Sequence, residues 1–435
     1  MFPLSAEQLN EAMKSTGITV DITKATIRQI CALAARLEDI AEEKFVHLEM
    51  GNPGLPASRI GIEAECDILS KGLPNQYPNI SGIPQLKENG SRFLKAFLDI
   101  DVPAKGIVPT VGSMQGSFTV QLMLSQYDKR RDTMLFINPG FPVQPAQAKI
   151  VGLKRESFDL YEYRGAALEK ILEEKLSKGN IAGILYSNPN NPAWTNLTDQ
   201  ELEIIGRMAT KYDTIVVEDL AYLGMDFRTD FSRPYEPPYI PTVAKYTDNC
   251  IQLLSASKIF SYAGQRIALV CMSEKVASRK SQELLDFYNM PTLLDAFIFG
   301  ILYAVSSGTA HSAQYAMSAM LGAAVEGKLD FVGESREYGR RANIAKKLFT
   351  DNGFHIVYDI DGDKPISDGF FFTIGYKDMD SSHLQSELLR YGIASISLPS
   401  TGSHQEGIRV TVSLLSDDDT FRNLEQRLKA FNDEH

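Results

Sequence analysis

The chain has 435 residues, 44% of them apolar and 23% charged, and carries a net charge of −11. That length exceeds one ordinary core, so two domains or one large α/β body with a cap are expected. An acidic chain without a basic face excludes nucleic acid as a partner. The longest apolar run, Ala296 to Val305, is about half of what a membrane helix needs and predicts a buried helix instead.

Cys31, Cys66, Cys250 and Cys271 are scattered, with no CxxC pair and no matching histidine spacing. No metal site is expected, and the usage fits a reducing cytoplasm. The residues Met1-Phe2-Pro3-Leu4-Ser5 lack a basic region followed by an apolar core, so no signal peptide is expected.

In chain order, Ala6 to Ser15 and Ile27 to Glu43 have helical patterns, the second with apolar residues at Ile27, Ile30, Leu33, Ala34, Leu37 and Ile40. Gly51-Asn52-Pro53-Gly54-Leu55-Pro56 must be a turn-rich loop. From there to residue 300 short apolar strands alternate with helical patterns. The candidate strands are Ile107–Val111, Met134–Ile137, Gly183–Tyr186, Thr214–Glu218, Cys250–Leu254 and Ile267–Cys271. Strands that lack polar alternation and are separated by helix-length segments imply a mostly parallel central sheet flanked by helices. Beyond residue 310 a long helix, Leu329 to Asn352, precedes strands at Phe370–Gly375 and Ile408–Val412, the pattern of a smaller α+β domain. The expected division is a large domain over 55–305 and a small one over 306–435, joined by residues 1–54.

Ligands of such sheets gather at the carboxyl ends of the strands, and the polar clusters of this sequence follow those ends. Cys250–Leu254 leads into Ser255-Ala256-Ser257-Lys258, with Arg266 beyond. Two hydroxyls and a guanidinium can hold a phosphate while Lys258 reaches an aldehyde on the same ligand, and pyridoxal phosphate carries both groups. The plain alternative is a surface turn. Thr214–Val217 ends in Glu218-Asp219-Leu220-Ala221-Tyr222, where Asp219 is either a helix cap or the carboxylate that keeps a pyridine nitrogen protonated. Tyr222 then reaches the ring's phenolic oxygen.

Gly183–Tyr186 runs into Ser187-Asn188-Pro189-Asn190-Asn191-Pro192, a stiff turn that is either an Asx turn or a donor, through Asn191, to the same oxygen. The loop Gly112-Ser113-Met114-Gln115-Gly116 opens a helix and offers N–H groups to an anion, or is simply a capped start. Phe141, after Met134–Ile137, is a ring to stack on a flat ligand or a core aromatic. Arg409 lies inside the last strand pattern, where it is solvated, paired, or a bidentate grip on a carboxylate.

Together these motifs resemble the class I/II aminotransferases, the pyridoxal phosphate enzymes of fold type I, from Gly51 to Arg409. The resemblance implies that Lys258 forms the Schiff base in its serine-x-x-lysine run, with Arg266 eight residues on. It assigns Ser113, Met114, Gln115, Phe141, Asn191, Asp219, Tyr222, Ser255, Ser257 and Arg266 to the cofactor, with Tyr77, before Gly82-Ile83-Pro84-Gln85-Leu86, crossing from a partner subunit. Gly51, Asn191 and Arg409 fall to the substrate.

The implied protein is a homodimer with shared active sites that moves an amino group between an amino acid and a 2-oxo acid. A lyase or decarboxylase of the same fold is the alternative. A regulator with an added DNA-binding module is disfavoured, because the first 50 residues are short and acidic. Two positions depart from the family pattern: Ala193-Trp194 replaces Thr-Gly, and Tyr262 replaces a small aliphatic residue. Both reshape the mouth of the site; Trp194 is either a pocket wall or a loop anchor.

Overall fold

The computed structural model describes residues 2–19 and 21–435; Met1 and Val20 of the N-terminal segment lie outside the described residues. The N-terminal helices start on side-chain caps, Ser5 with Gln8 and Thr26 with Gln29, each closing a capping box. Their apolar faces bury Leu9, Ile30, Leu33 and Leu37 against Leu389, Ala394 and Ile396 near the other end of the chain. A short strand, β1 (Val46–His47), follows them.

The central sheet contains β2 (Ile107–Val111), β3 (Thr133–Asn138), β4 (Lys154–Asp159), β5 (Ile181–Ser187), β6 (Ile215–Asp219), β7 (Cys250–Ser255) and β8 (Ile267–Met272). Their order is β2-β8-β7-β6-β5-β3-β4. Only β8 runs against its neighbours β2 and β7; all other pairings are parallel. Every residue of β3, β5, β6, β7 and β8 is buried, which is why these strands show no polar alternation. Successive residues face opposite layers. Phe136, Leu185, Val217 and Ile251 pack on Val120 and Leu124 of helix Gly112–Tyr127, whereas Leu135, Ile184, Val216 and Cys250 pack on Leu172 and Ile205.

β4 was not foreseen. It is the edge strand and exposes most of its first four residues, so Lys154, Arg155 and Glu156 give it a polar signature. The run Ala296–Val305 is only half buried. It forms wide helical turns over Ala296–Leu302 that bury Phe297, Ile298, Ile301 and Leu302. On the other side of the helix, Phe299, Tyr303 and Val305 are exposed.

The C-terminal part contains β9 (Phe354–Ile356), β10 (Ile360–Asp361), β11 (Lys364–Pro365), β12 (Phe371–Tyr376), β13 (Ile393–Ala394), β14 (Ile396–Ser397) and β15 (Ile408–Thr411). Four of them form an antiparallel sheet, β14-β15-β12-β9, behind the helix Phe331–Asp351. β1 pairs in parallel with β13, tying the N-terminal segment to this sheet's surroundings. Helix His311–Val325, expected in the C-terminal lobe, instead packs on helices Arg59–Ser70 and Pro84–Leu98. Asn89 donates to the Ser318 carbonyl at 3.0 Å across that contact.

Six strands end on one edge of the central sheet, and β8, being reversed, begins there. The reversal delivers Arg266, the residue before β8, to the edge where β7 delivers Ser255 and β6 delivers Asp219.

Candidate active site

Ser255 is the last residue of β7, and Lys258 sits on the single helical turn Ala256–Ile259 that follows. The Ser255 hydroxyl caps that turn, accepting from the Ser257 N–H at 3.2 Å. Lys258 Nζ donates to the Gly51 carbonyl oxygen and lies 5.2 Å above the Phe370 ring. The turn-rich loop at Gly51 therefore lies directly over the lysine. Burial, reinforced by the cations Arg409 and Arg266, pulls the Lys258 ammonium down to about 7. At neutral pH a large fraction is free amine, the form that attacks a carbonyl.

Asp219 ends β6, one strand away. Gln144 Nε2 donates to its Oδ2 at 2.8 Å, and the Ala221 N–H donates to Oδ1 at 3.2 Å. No cation pairs with it among the described residues. Burial consequently pushes the carboxyl up to about 6, against those two donors. Gln144 was not singled out from the sequence. It lies 75 residues from Asp219, on helix Val143–Ile150, and no local pattern marks it.

Arg409, on β15, is 2% exposed. Its Nη1 donates to Asn191 Oδ1 at 3.2 Å, its Nη2 donates to the Glu49 carbonyl oxygen, and the guanidinium stacks 4.7 Å from the Phe371 ring centre. Nε is buried without a hydrogen-bond partner among the described residues. Burial lowers this guanidinium to about 10, so it stays charged at neutral pH. The bond to Asn191 links β15 of the small sheet to the turn after β5 of the large one. The sequence gives no means of pairing those two residues.

The aromatic wall is continuous. Tyr222 meets Phe370, Phe371 and Trp194 with ring centres 5.3, 5.1 and 5.6 Å apart. Trp194 is fully buried and covers Gly369, where a Cβ would overlap its indole. It anchors its loop and backs Tyr222 at once. Tyr262 donates to Glu65 Oε2 at 2.6 Å, which fastens the turn after Lys258 to helix Arg59–Ser70.

At the other end, Arg266 lies against Gly112, whose φ of +70° permits a bend where a side chain would overlap the guanidinium. Among the described residues, no side chain caps the helix that Gly112 opens. The start of that helix therefore lies beside the Arg266 guanidinium. Gln115 is already engaged, its Oε1 accepting from the Val111 N–H at 2.7 Å. Gln147 fixes the first turn by donating to the Met114 carbonyl at 2.9 Å. Ser113 is half-buried and Met114 is exposed.

Two residues stand apart. Phe141 is half-buried and belongs to none of the core clusters, so the core-aromatic alternative fails. It precedes the helix that carries Gln144. Tyr77 is 93% exposed, on a groove shared with Leu69, Leu73, Pro78 and His311.

Comparison with known proteins follows this geometry. Residues 43–422 match the aminotransferase class I and II family. A probable aspartate aminotransferase of Methanocaldococcus jannaschii is 26% identical over 55% of this chain and 60% of its own length. The glutamate-pyruvate aminotransferase AlaC of Escherichia coli is 27% identical over 54% and 56%, respectively. These alignments span less than two thirds of either relative. Over almost the whole chain the fold is that of a Thermus thermophilus aspartate aminotransferase double mutant, with a TM-score of 0.77 at 18% identity over 96% of this chain and 98% of that one. A substrate-bound BacF structure from Bacillus subtilis has a TM-score of 0.76 at 18% identity, covering 96% and 97%. The match from residue 43 to 422 settles the lineage: the chain belongs to the aminotransferase class I and II family.

Proposed function

We propose that the protein is a pyridoxal 5′-phosphate-dependent aminotransferase that exchanges an amino group between an amino acid and a 2-oxo acid. Members of its family generally depend on that cofactor. The observation that carries the assignment is an unbalanced set of charges: buried Arg409, part-buried Lys258 and exposed Arg266 on one side, and buried Asp219, without a cation among the described residues, on the other. One ligand with an aldehyde, a basic ring nitrogen and a phosphate completes the set, leaving Arg409 for a substrate carboxylate.

When bound, pyridoxal phosphate supplies the electron sink for a carbanion at the substrate α-carbon. This chain's residues do the rest. Lys258 gives an amine that is about half uncharged at neutral pH, would hold the cofactor, and once released would take the proton from the α-carbon. Asp219, held by Gln144, would keep a proton on the ring nitrogen of the bound cofactor. Asn191 and Tyr222 are set for the phenolic oxygen, Phe141 for the ring face. Arg266, Ser255, Ser257 and the loop Ser113–Gln115 hold the phosphate. Arg409, Asn191 and the Gly51 loop orient the substrate carboxylate, which fixes the bond to be broken relative to the ring.

Tyr77 belongs, on this reading, to the neighbouring subunit's phosphate site in a homodimer. Its near-complete exposure supports that, since nothing in its own subunit occupies it. Four free cysteines suit a reducing compartment such as the cytoplasm.

The deciding experiment is borohydride reduction of the holoenzyme followed by peptide mapping, alongside an amino-acid/2-oxo-acid exchange assay. Label on Lys258 together with 2-oxo acid formation stoichiometric with transferred amine supports the proposal. Label on another lysine, or carbon dioxide release in place of transfer, overturns it.

A further inference from the structure

Glu49 plays no part in the chemistry above, yet its backbone and side chain both lie against the substrate arginine. Its carbonyl accepts from Arg409 Nη2, and its carboxylate is the nearby acid that favours the charged guanidinium. The carboxylate is 1% exposed, and its Oε2 has no hydrogen-bond partner among the described residues. Its Oε1 is 2.8 Å from His47 Nδ1. On the far side of the imidazole, His47 Nε2 is 3.2 Å from Glu38 Oε1. A histidine donates from both nitrogens only as the imidazolium, so this arrangement is satisfied in full only when His47 carries a proton.

The backbone makes the chain of contacts rigid. The Leu48 N–H donates to the Ala394 carbonyl at 2.9 Å and the Leu48 carbonyl accepts from the Thr411 N–H at 3.1 Å. His47 and Glu49 are therefore held between β13 and the strand that carries Arg409. The imidazole retains 34% side-chain exposure, so it exchanges protons with solvent.

Other charged groups surround the histidine. On helix Ile27–Ala41 and just after it, Glu38 also takes Lys44 at 3.0 Å, and the Cys31 thiol approaches Glu49. From helix Asp418–Glu434, Arg427 faces Glu38 and bonds Glu43 at 3.1 Å. Arg28 lies near Cys31.

We propose that His47 and Glu49 are positioning residues for the Arg409 anchor: protonated His47 balances Glu49 and leaves the guanidinium to the substrate carboxylate, whereas deprotonated His47 frees Glu49 to compete with it. The direction of the histidine's ionisation agrees. The bond to Glu49 first, and Glu38 beside it, hold the imidazolium above its ordinary range although burial opposes them. The proposal rests on the assignment of Arg409 to the substrate carboxylate.

The test uses the holoenzyme in its pyridoxamine 5′-phosphate form and the 2-oxo acid that is consumed fastest. That ligand carries no amine to titrate, so the part of its pH dependence that is lost in His47→Gln reports the anchor, whereas any part due to Lys258 persists in both variants. In the wild type the constant should rise about fivefold to tenfold as His47 loses its proton, the size of a partly screened charge effect. His47→Gln should hold it at the weak limit at every pH. Glu49→Gln should hold it at the tight limit. A merely structural role would weaken binding in both variants and leave the pH dependence in place, which would overturn the proposal.

Independently, histidine ring-proton NMR of the protein identifies His47 as the one of six histidine signals lost in His47→Gln. Its midpoint should fall in Glu49→Gln, and an unmoved midpoint also overturns the proposal. This second arm reads the His47–Glu49 coupling whether or not amino groups are exchanged, so the two failures separate.

Discussion

Gln144 Nε2 donates to Asp219 Oδ2 at 2.8 Å, and this neutral amide is the only side chain that bonds the buried carboxylate among the described residues. The donor orients Asp219 without neutralising it, which leaves the carboxylate's charge available to a ligand. A cationic partner would have held Asp219 ionised at the expense of its attraction for a ring N–H.

The pH dependence of the apoprotein follows from that environment. Burial raises the folded carboxyl from 3.8 to about 6, so the folded state binds this proton more tightly than the unfolded chain. Stability is therefore lost as pH rises from about 4 through about 6, by about 3 kcal/mol, and the loss persists above that window. Asp219→Asn removes the penalty. Apo Asp219→Asn should be more stable than apo wild type at pH 8 and about equal to it near pH 4, while its half-reaction with amino acids slows by orders of magnitude. Denaturant titrations at the two pH values check the first part. Equal stability differences at both would show that the carboxyl is not strained by burial.

Gly112 tests the phosphate end. A Cβ there overlaps the Arg266 guanidinium, and a φ of +70° is costly for alanine by about 1 kcal/mol. Because the overlapping atoms are the tip of a flexible side chain, Arg266 should yield rather than the backbone. Gly112→Ala should then lower the melting temperature by only a few degrees but weaken cofactor binding tenfold or more. Pyridoxal, which lacks the phosphate, should bind the variant and the wild type alike. An equal loss for both ligands would move the defect away from Arg266.

Tyr77 carries the prediction about assembly. At 93% exposure its side chain contributes little to the stability of its own subunit, so Tyr77→Ala should leave the melting temperature of the apoprotein nearly unchanged. Cofactor affinity should nevertheless fall, and mixing with the Lys258→Ala variant should restore one complete site per heterodimer. Sedimentation of the holoenzyme as a monomer with full activity would exclude a shared site.

Much of the architecture was legible because physics left local marks. β2 is found over the five residues predicted for it, and β3, β5, β6, β7 and β8 lie within one or two residues of their predicted bounds. Strands buried on both faces cannot alternate, and loops at their ends cannot be apolar. β4 escaped because an edge strand faces water and resembles a polar loop. Helix His311–Val325 escaped assignment because a helix apolar on nearly every side does not reveal which body it covers.

The residues proposed for the site divide the same way. Lys258, Asp219 and Asn191 declare themselves through strand ends. Gln144 and Glu49 act through partners 75 and 360 residues away, and contacts at that range are written in the topology alone. The antiparallel β8, which brings Arg266 round to Gly112, had no sequence mark either.

The last prediction concerns Arg409. Its guanidinium is already fixed in plane by Phe371 at 4.7 Å and by Asn191 at 3.2 Å, so little ordering entropy remains to be lost when a carboxylate binds. Arg409→Lys keeps a charge but loses both the stack and the fork. It should raise the dissociation constant of amino acids and slow the half-reaction together, a loss on the order of 2–5 kcal/mol for a desolvated carboxylate pair. Cofactor binding should fall far less than substrate binding, because among the described residues Asn191 is the one cofactor contact that Arg409 bonds, and no bond of Arg409 reaches the Lys258 turn or the loop at Gly112. Amines without an α-carboxylate should react equally slowly with both proteins. The competing account is that Arg409 merely ties β15 to the Asn191 turn and the Glu49 strand. In that case Arg409→Lys lowers the melting temperature while single-turnover rates at saturating amino acid stay unchanged, and that result would remove Arg409 from the substrate site.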